Sequence, residues 1–183
     1  VKHFDPSNVS LSREAARDLS GESAVDYLKQ AGLFDRVKAS VEASQYEIYR
    51  QASEGAAGIE ATHWANNPAQ TLQASFTRNG VEIGPSVGSS QQSWQMKMKF
   101  AGIGYGQTLG DISTGSARVN GNRIEIPHST VTEWYVNKPE GIEQGFTVAE
   151  RPGIASNGDP LRVALEITGG LRARLEEGGQ AAI

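Results

Sequence analysis

Within residues 132–152, side chains that could bind a ligand or take part in catalysis recur at alternate positions. Glu133, Tyr135 and Asn137 are two residues apart, and Glu143 follows on the far side of a KPEG turn. Glycosidases flank the scissile bond of a sugar with two carboxylates, and a tyrosine between them could stack on a ring. The spacing therefore predicts a ligand-binding edge made of Glu133, Tyr135, Asn137 and Glu143.

A simpler interpretation of the same segment is a β-hairpin without a site. Side chains alternate between the two faces of a strand, so STVTEWYVN and IEQGFTVAE predict a buried face of Trp134, Val136, Phe146 and Val148. The glutamates then lie on the solvated outer face, no residue is catalytic, and Glu133→Gln and Glu143→Gln leave the fold intact. The same alternation predicts a buried core that includes Trp94, Met98, Trp134, Phe146, Val163 and Leu165.

Other motifs in the chain favour structural roles. The glycines of AGIGYGQ are spaced G-x-G-x-G, which differs from the dinucleotide fingerprint, and no helical pattern follows them. Gly102, Gly104 and Gly106 instead predict a strand face without side chains, where another backbone approaches closely, next to a bulge. The histidines lack companions at metal-ligand spacing. We therefore predict no metal and no cofactor.

Composition narrows the class of protein. The chain has 183 residues, a formal net charge of −4 and no cysteine, which excludes disulfide scaffolds and thiolate metal sites. Acidic and basic residues are interspersed, so no basic stripe for nucleic acid is present. No apolar run reaches the roughly 20 residues of a spanning helix. A single non-membrane domain with protein or small-molecule partners is the expectation.

The hydrophobic period divides the chain into two parts. Residues 1–52 are predicted as a helical lead-in, with Gly32 ending one helix and Leu33, Val37 and Val41 forming the apolar stripe of the next. From about residue 59 the period is two, and Asn-Gly pairs at 79–80 and 120–121 indicate hairpins. The prediction is a mainly β fold, an antiparallel β-sandwich at 53–183 behind a short α-helical N-terminal lead-in.

The last residues, LRARLEEGGQAAI, are typical of a strand, a Gly-Gly turn and the start of another strand. An unfinished strand leaves backbone donors and acceptors open to pairing with another chain. We therefore expect the sandwich to continue beyond Ile183, or a neighbouring subunit to complete the C-terminal strand.

Several segments resemble a module found near the N-terminus of large secreted bacterial proteins that carry FG-GAP (integrin-α-like) repeats. These segments are NPAQ at 67–70, GNRIEI at 121–126, EWYVN at 133–137 and EQGFTVAERP at 143–152, together with Phe76 and Gly80-Val81. YLKQAGLFDRVKASVEASQYEI at 27–48 is similar to the helical lead-in of that module. The calcium-holding propeller repeats of such proteins have no counterpart in the 183 residues.

The resemblance implies a non-enzymatic extracellular module, secreted or on the cell surface, with a structural or adhesive role in a larger bacterial protein. Other domains of the same or a longer chain would be its partners, and carbohydrate is a further candidate ligand. Two alternatives stay open. One is a carbohydrate-active enzyme using Glu133 and Glu143. The other is a subunit of an extracellular assembly that is completed by strand pairing.

Overall fold

The computed structural model describes residues 20–51, 62–88, 94–110, 112–153, 158–172, 174–175 and 181–182. The chain divides into two compact units, residues 1–43 and residues 44–183. The helical pattern predicted before residue 20 and the Gly178-Gly179 turn lie outside the described residues.

The first unit contains the predicted helices. Helix α1 spans Gly21–Gln30 and ends as expected, with Gly32 in the left-handed region at φ +66°. Helix α2 spans Phe34–Ser44. None of the residues of α1 and α2 is buried, and the predicted stripe of Leu33, Val37 and Val41 is exposed.

The larger of the two main sheets has, among the described residues, seven antiparallel strands in the order β1-β2-β3-β4-β5-β11, with β6 pairing β5. Its strands are β1 (Ile48–Gln51), β2 (Thr62–Asn67), β3 (Leu72–Thr77), β4 (Gly80–Pro85), β5 (Met96–Tyr105), β6 (Thr108–Leu109) and β11 (Leu161–Gly169). Strand β1 begins before residue 53, so this sheet starts within the segment predicted as helical.

The second sheet has the order β10-β9-β8-β7 in the described part of the chain. Its strands are β7 (Arg118–Asn120), β8 (Arg123–His128), β9 (Val131–Lys138) and β10 (Gly141–Val148). Hairpins form at both predicted Asn-Gly positions. They centre one residue away from expectation, with Thr77 pairing Gly80 and Asn120 pairing Arg123.

The two sheets pack face to face as a β-sandwich, which confirms the predicted fold class. One core cluster joins residues of both sheets, and its ring contact between Phe76 and Tyr135 has a centroid distance of 5.1 Å. The other cluster joins Phe100 and Ile103 to Val131. The sandwich described by the structure is therefore a single packed layer of side chains between two antiparallel sheets.

The glycines of β5 have the predicted structural role. A Cβ on Gly104 would lie 2.1 Å from the carbonyl oxygen of Thr108, so only glycine lets β6 approach this closely. The predicted bulge is also present, because Leu165 pairs with Phe100 whereas Ala164 pairs with Gly102. The bulge lets both Phe100 and Ile103 point into the core.

The core prediction overstated burial, because none of its six residues is fully buried. Trp94, Met98 and Phe146 are partly buried and pack against the two clusters. Val163 and Leu165 are wrong, because β11 is an edge strand and these side chains are 41% and 37% exposed. Trp134 is only half-buried, because it lies on the outer face of the second sheet.

Two short segments near the C-terminus form a small separate sheet. Strand β12 (Arg174–Leu175) pairs with β13 (Ala181–Ala182) in a two-stranded sheet of its own. Each of the two segments predicted as the last strands therefore contains strand residues, and these residues pair with each other.

Candidate functional site

The structure reverses the predicted faces of β9. Glu133, Tyr135 and Asn137 are buried between the sheets, with exposures of 1%, 0% and 0%. Trp134 lies on the outer face, where the Arg123 guanidinium stacks 4.4 Å from its ring centroid and Gly145 leaves room for the indole. The prediction that Glu133, Tyr135 and Asn137 share the exposed outer face is therefore wrong.

The turn between β9 and β10 explains why the hairpin faces were assigned incorrectly. Lys138 pairs with Gly141, so the loop contains two residues only. Residues paired directly across antiparallel strands point to the same face. Gln144 therefore joins Tyr135, and Phe146 joins Glu133, on the inner side. Trp134 and Phe146 cannot share a face in this register, although alternation within each strand allows it.

Glu133 is the centre of a buried hydrogen-bond network. Its Oε2 accepts a hydrogen bond from His128 Nε2 at 2.9 Å. Its Oε1 accepts from the Tyr135 hydroxyl at 2.6 Å and from Gln144 Nε2 at 2.8 Å. Gln144 Nε2 also donates to the Tyr135 oxygen at 3.0 Å. Since a buried carboxylate is stable only when its oxygens are paired, the network accounts for a glutamate in this core.

The network also sets the protonation of its members. Burial alone would raise the pKa of Glu133, but the hydrogen bonds from His128, Tyr135 and Gln144 outweigh it and hold the pKa below its usual value. Burial and the neighbouring carboxylate raise the pKa of Tyr135 far above its usual value. The tyrosine therefore stays a hydrogen-bond donor and the glutamate stays an acceptor.

Sequence reasoning did not connect His128 to this site. The imidazole is 4% exposed, lies 4.7 Å from the Phe100 ring by centroid distance, and places Nδ1 3.1 Å from Thr114 Oγ1. Thr114, His128 and Glu133 form a hydroxyl–imidazole–carboxylate chain, the order of groups that serine hydrolases use. The burial of His128 could have been predicted from the alternation in RIEIPH, because His128 shares a strand face with the apolar residues Ile124 and Ile126.

A cleft of about 390 Å³ lies beside the hydrogen-bonded series of Thr114, His128 and Glu133, at one end of the sandwich. His128, Ser129 and Thr130 line one side, and Phe100 and Ile103 line another. Both ring nitrogens of His128 are already within hydrogen-bond distance of protein partners. The imidazole therefore has no free nitrogen to offer a molecule in the cleft.

The side-chain amide of Asn137 is also fully used in hydrogen bonds to other protein groups. Its Nδ2 donates to the backbone oxygens of Tyr46 and Asn66 at 3.0 and 2.9 Å, and its Oδ1 accepts from Asn67 Nδ2 at 2.9 Å. Asn67 donates in addition to the Lys138 carbonyl at 2.6 Å. These two buried amides connect β2 of one sheet to β9 of the other. Asn137 therefore fastens the sheets together and has no donor left for a ligand.

Glu143 differs from the other three predicted site residues. It lies on the outer face, pairs in register with Val136 and accepts a hydrogen bond from Lys138 Nζ at 2.5 Å. Its carboxylate is on the opposite side of the β9–β10 pair from that of Glu133. Two carboxylates on opposite faces of one sheet cannot flank the same glycosidic bond, which removes the geometric basis of the glycosidase hypothesis.

Within the described ranges, no group of three His, Asp or Glu side chains is placed to hold a metal ion. No helix in the described part of the chain is long and apolar enough to cross a membrane. Comparisons with protein-family models, curated proteins and solved structures gave no match.

Proposed function

We propose that this chain is a non-enzymatic extracellular module with a structural or adhesive role in a larger bacterial surface or secreted protein. One observation carries the non-enzymatic part. Glu133, Tyr135, Asn137 and Gln144 have side chains that could do chemistry, and all four are instead hydrogen-bonded to protein partners inside the sandwich. The extracellular location and the bacterial source rest on the sequence resemblance alone.

The EWYVN and EQGF segments carry much of the resemblance, and the network gives them a physical purpose. Glu133, Tyr135 and Asn137 come from the first segment, and Gln144 and Phe146 from the second. All five point between the sheets, and the four polar ones have protein partners for their hydrogen bonds. A motif whose residues hold a core together specifies a fold. This supports a structural module over an enzyme.

The test compares wild type with Glu133→Gln and Glu143→Gln. Hydrolysis is assayed on polysaccharides and on chromogenic glycosides and esters, and stability is measured by urea unfolding. We expect no turnover in any protein, and a lower free energy of unfolding for Glu133→Gln alone, because only Glu133 is buried. Turnover in wild type that is lost in a folded Glu133→Gln variant would contradict the proposal.

A second candidate function, assembly by strand pairing, is favoured by β11. Four apolar side chains, Leu161, Val163, Leu165 and Ile167, share the face of Phe100 and Ile103 yet are between 37% and 44% exposed. Among the described strands, β11 pairs on one edge only. An apolar row beside an open backbone edge is suited to adding a strand.

Sedimentation velocity over a range of protein concentrations tests this assembly. Leu165→Lys places a charge in the apolar row, and Thr168→Lys places the same charge on the other face of the same strand. We expect concentration-dependent association in wild type and Thr168→Lys, and its loss in Leu165→Lys. A wild-type protein that remains monomeric at all concentrations would reject strand pairing between copies of this chain.

A further inference from the structure

The outer face of the seven-stranded sheet carries a second depression, distant in sequence from the EWYVN segment. It is an open groove of about 430 Å³ across β2, β3 and β4. Its lining includes one tryptophan and four polar side chains, Trp64, Gln73, Ser75, Glu82 and Gln95. We call it the Trp64 groove. Polar groups surrounding an aromatic surface are typical of sites that bind amphipathic small molecules.

The strand register aligns these groups in a row. Trp64 pairs with Ser75, and Ser75 pairs with Glu82, so the three side chains stand side by side on one face. Neighbouring strands are about 4.8 Å apart, which makes the row about 10 Å long. On the other side of Trp64, the register partner is Tyr49, whose side chain is 52% exposed. Two aromatic residues thus continue the polar row.

Two of the four polar side chains, Glu82 and Gln95, are held in place by contacts within the groove and along its rim. Glu82 accepts a hydrogen bond from Gln95 Nε2 and forms an ion pair with Lys97 at 3.9 Å. Gly84 provides no side chain to fill the depression, and a Cβ there would lie 3.1 Å from the Trp94 carbonyl oxygen. The groove therefore keeps its shape without a ligand, which lowers the cost of ordering on binding.

The chemistry of the lining indicates a class of ligand. A pyranose ring has an apolar face of C–H groups that packs on an indole, and a rim of hydroxyls that need hydrogen-bond donors and acceptors. The groove offers carboxamides, a hydroxyl and a carboxylate for that rim. Its carboxylate is already neutralised by Lys97, so the lining has no excess positive charge for an acidic ligand.

We propose that the Trp64 groove binds a neutral oligosaccharide, with one sugar ring stacked on Trp64 and its hydroxyls bound by Gln73, Ser75 and Glu82. This inference rests on the adhesive part of the proposed function and deepens it by naming the ligand class. It places carbohydrate binding on the sheet opposite to the one that carries Glu133.

Titration calorimetry tests the inference with cellohexaose, xylohexaose, mannohexaose and chitohexaose as neutral probes. Oligogalacturonate serves as an acidic probe, and an unrelated extended peptide as a non-sugar probe. We expect saturable binding of at least one neutral probe, and a loss of at least about tenfold in affinity for Trp64→Ala. Gln73→Ala retains the tryptophan and is expected to weaken binding too.

Trp134→Ala is the matched control, because Trp134 is a half-buried tryptophan on the outer face of the other sheet. It should leave the affinity unchanged. Circular dichroism confirms that each variant is folded. Binding of none of the neutral probes overturns the inference, as does binding that neither Trp64→Ala nor Gln73→Ala weakens, or a preference for the acidic or peptide probe.

The same samples separate this inference from the proposed function. Chromatography of the probes after incubation reports cleavage. Binding with cleavage contradicts the non-enzymatic proposal and leaves the Trp64 groove as the binding site. Absence of both binding and cleavage overturns the groove inference and leaves the non-enzymatic proposal standing.

Discussion

The inner face of β9 and the outer face of β2–β4 contain the same kinds of residue in opposite environments. Glu133 is 1% exposed and has three hydrogen-bonding partners, whereas the Glu82 side chain is 37% exposed and contacts Gln95 and Lys97. Water solvates the carboxylate of Glu82, whereas protein donors must replace water around the carboxylate of Glu133. Residue types alone therefore do not distinguish an internal fastening from an open binding surface.

The largest expected difference is between two adjacent residues of β9. Tyr135→Ala removes a fully buried ring and a donor to Glu133, so we expect the free energy of unfolding to fall by about 4–5 kcal/mol. Trp134→Ala on the outer face should cost about 1–2 kcal/mol, from partial burial and the Arg123 contact. Urea unfolding followed by circular dichroism measures both. A larger loss for Trp134→Ala would restore the faces predicted from sequence.

The next comparison uses the two glutamates of the β9–β10 pair. Glu133→Ala leaves three buried donors without their acceptor, and we expect a loss of about 3–4 kcal/mol. Glu143→Ala removes only an exposed ion pair with Lys138, worth at most about 1 kcal/mol. Equal, small losses in urea unfolding would mean that Glu133 is solvated, as the simple hairpin interpretation predicted.

An isosteric change tests the amide clamp between the sheets. Asn137→Asp keeps the shape but turns a donor into an acceptor that faces the carbonyls of Tyr46 and Asn66. We expect a loss of about 2–3 kcal/mol at pH 7. The same change at the exposed Asn120 should stay within about 0.5 kcal/mol. Thermal unfolding at one pH compares the pair, and similar midpoints would reject the clamp.

The pKa of Glu133 predicts a pH dependence of stability. Because its pKa in the folded state lies below the ordinary value of 4.5, the stabilisation is fully present above about pH 4.5. It is lost as the pH falls through the lowered folded-state value. Urea unfolding from pH 7 to pH 3 should show a steeper decline for wild type and Glu143→Gln than for Glu133→Gln. Parallel declines in all three would contradict the charged network.

The smallest effect on stability is expected in the Trp64 groove. Glu82→Gln changes an exposed carboxylate and should alter the free energy of unfolding by less than about 0.5 kcal/mol. A loss comparable with that of Glu133→Ala would show that the groove residues are also structural fastenings. The contrast between the two faces would then disappear.

Local patterns in the sequence were sufficient for much of the fold. Period-two alternation identified the strands, the Asn-Gly pairs located two hairpins, and the glycine spacing of β5 located both a close backbone approach and a bulge. Each of these features is set by residues within a few positions of one another. Side-chain alternation and glycine conformation act locally, so they can be read without knowing the rest of the chain.

The candidate site could not be predicted in the same way. Alternation states which residues of a strand share a face, but it does not state which face is buried. In β9 the choice depended on the two-residue turn at 139–140 and on His128 and Gln144, which lie on the neighbouring strands. A sequence that puts tryptophan and valine on one face and glutamate, tyrosine and asparagine on the other favours burial of the first set.

The sequence by itself determined the class of fold and, to within one residue, the positions of two hairpins. It also drew attention to Glu133 and Tyr135, but it did not assign His128 or Gln144 to the polar network. Tertiary structure decided that this network is inside. Burial of Glu133 is favourable only when His128, Tyr135 and Gln144 are all in position, and burial of Asn137 requires Asn67 from the other sheet. The partners of Glu133 lie on three adjacent strands of one sheet, so strand pairing brings them together. The partners of Asn137 are 70 to 91 positions away along the chain, so only the packing of the two sheets brings them to it.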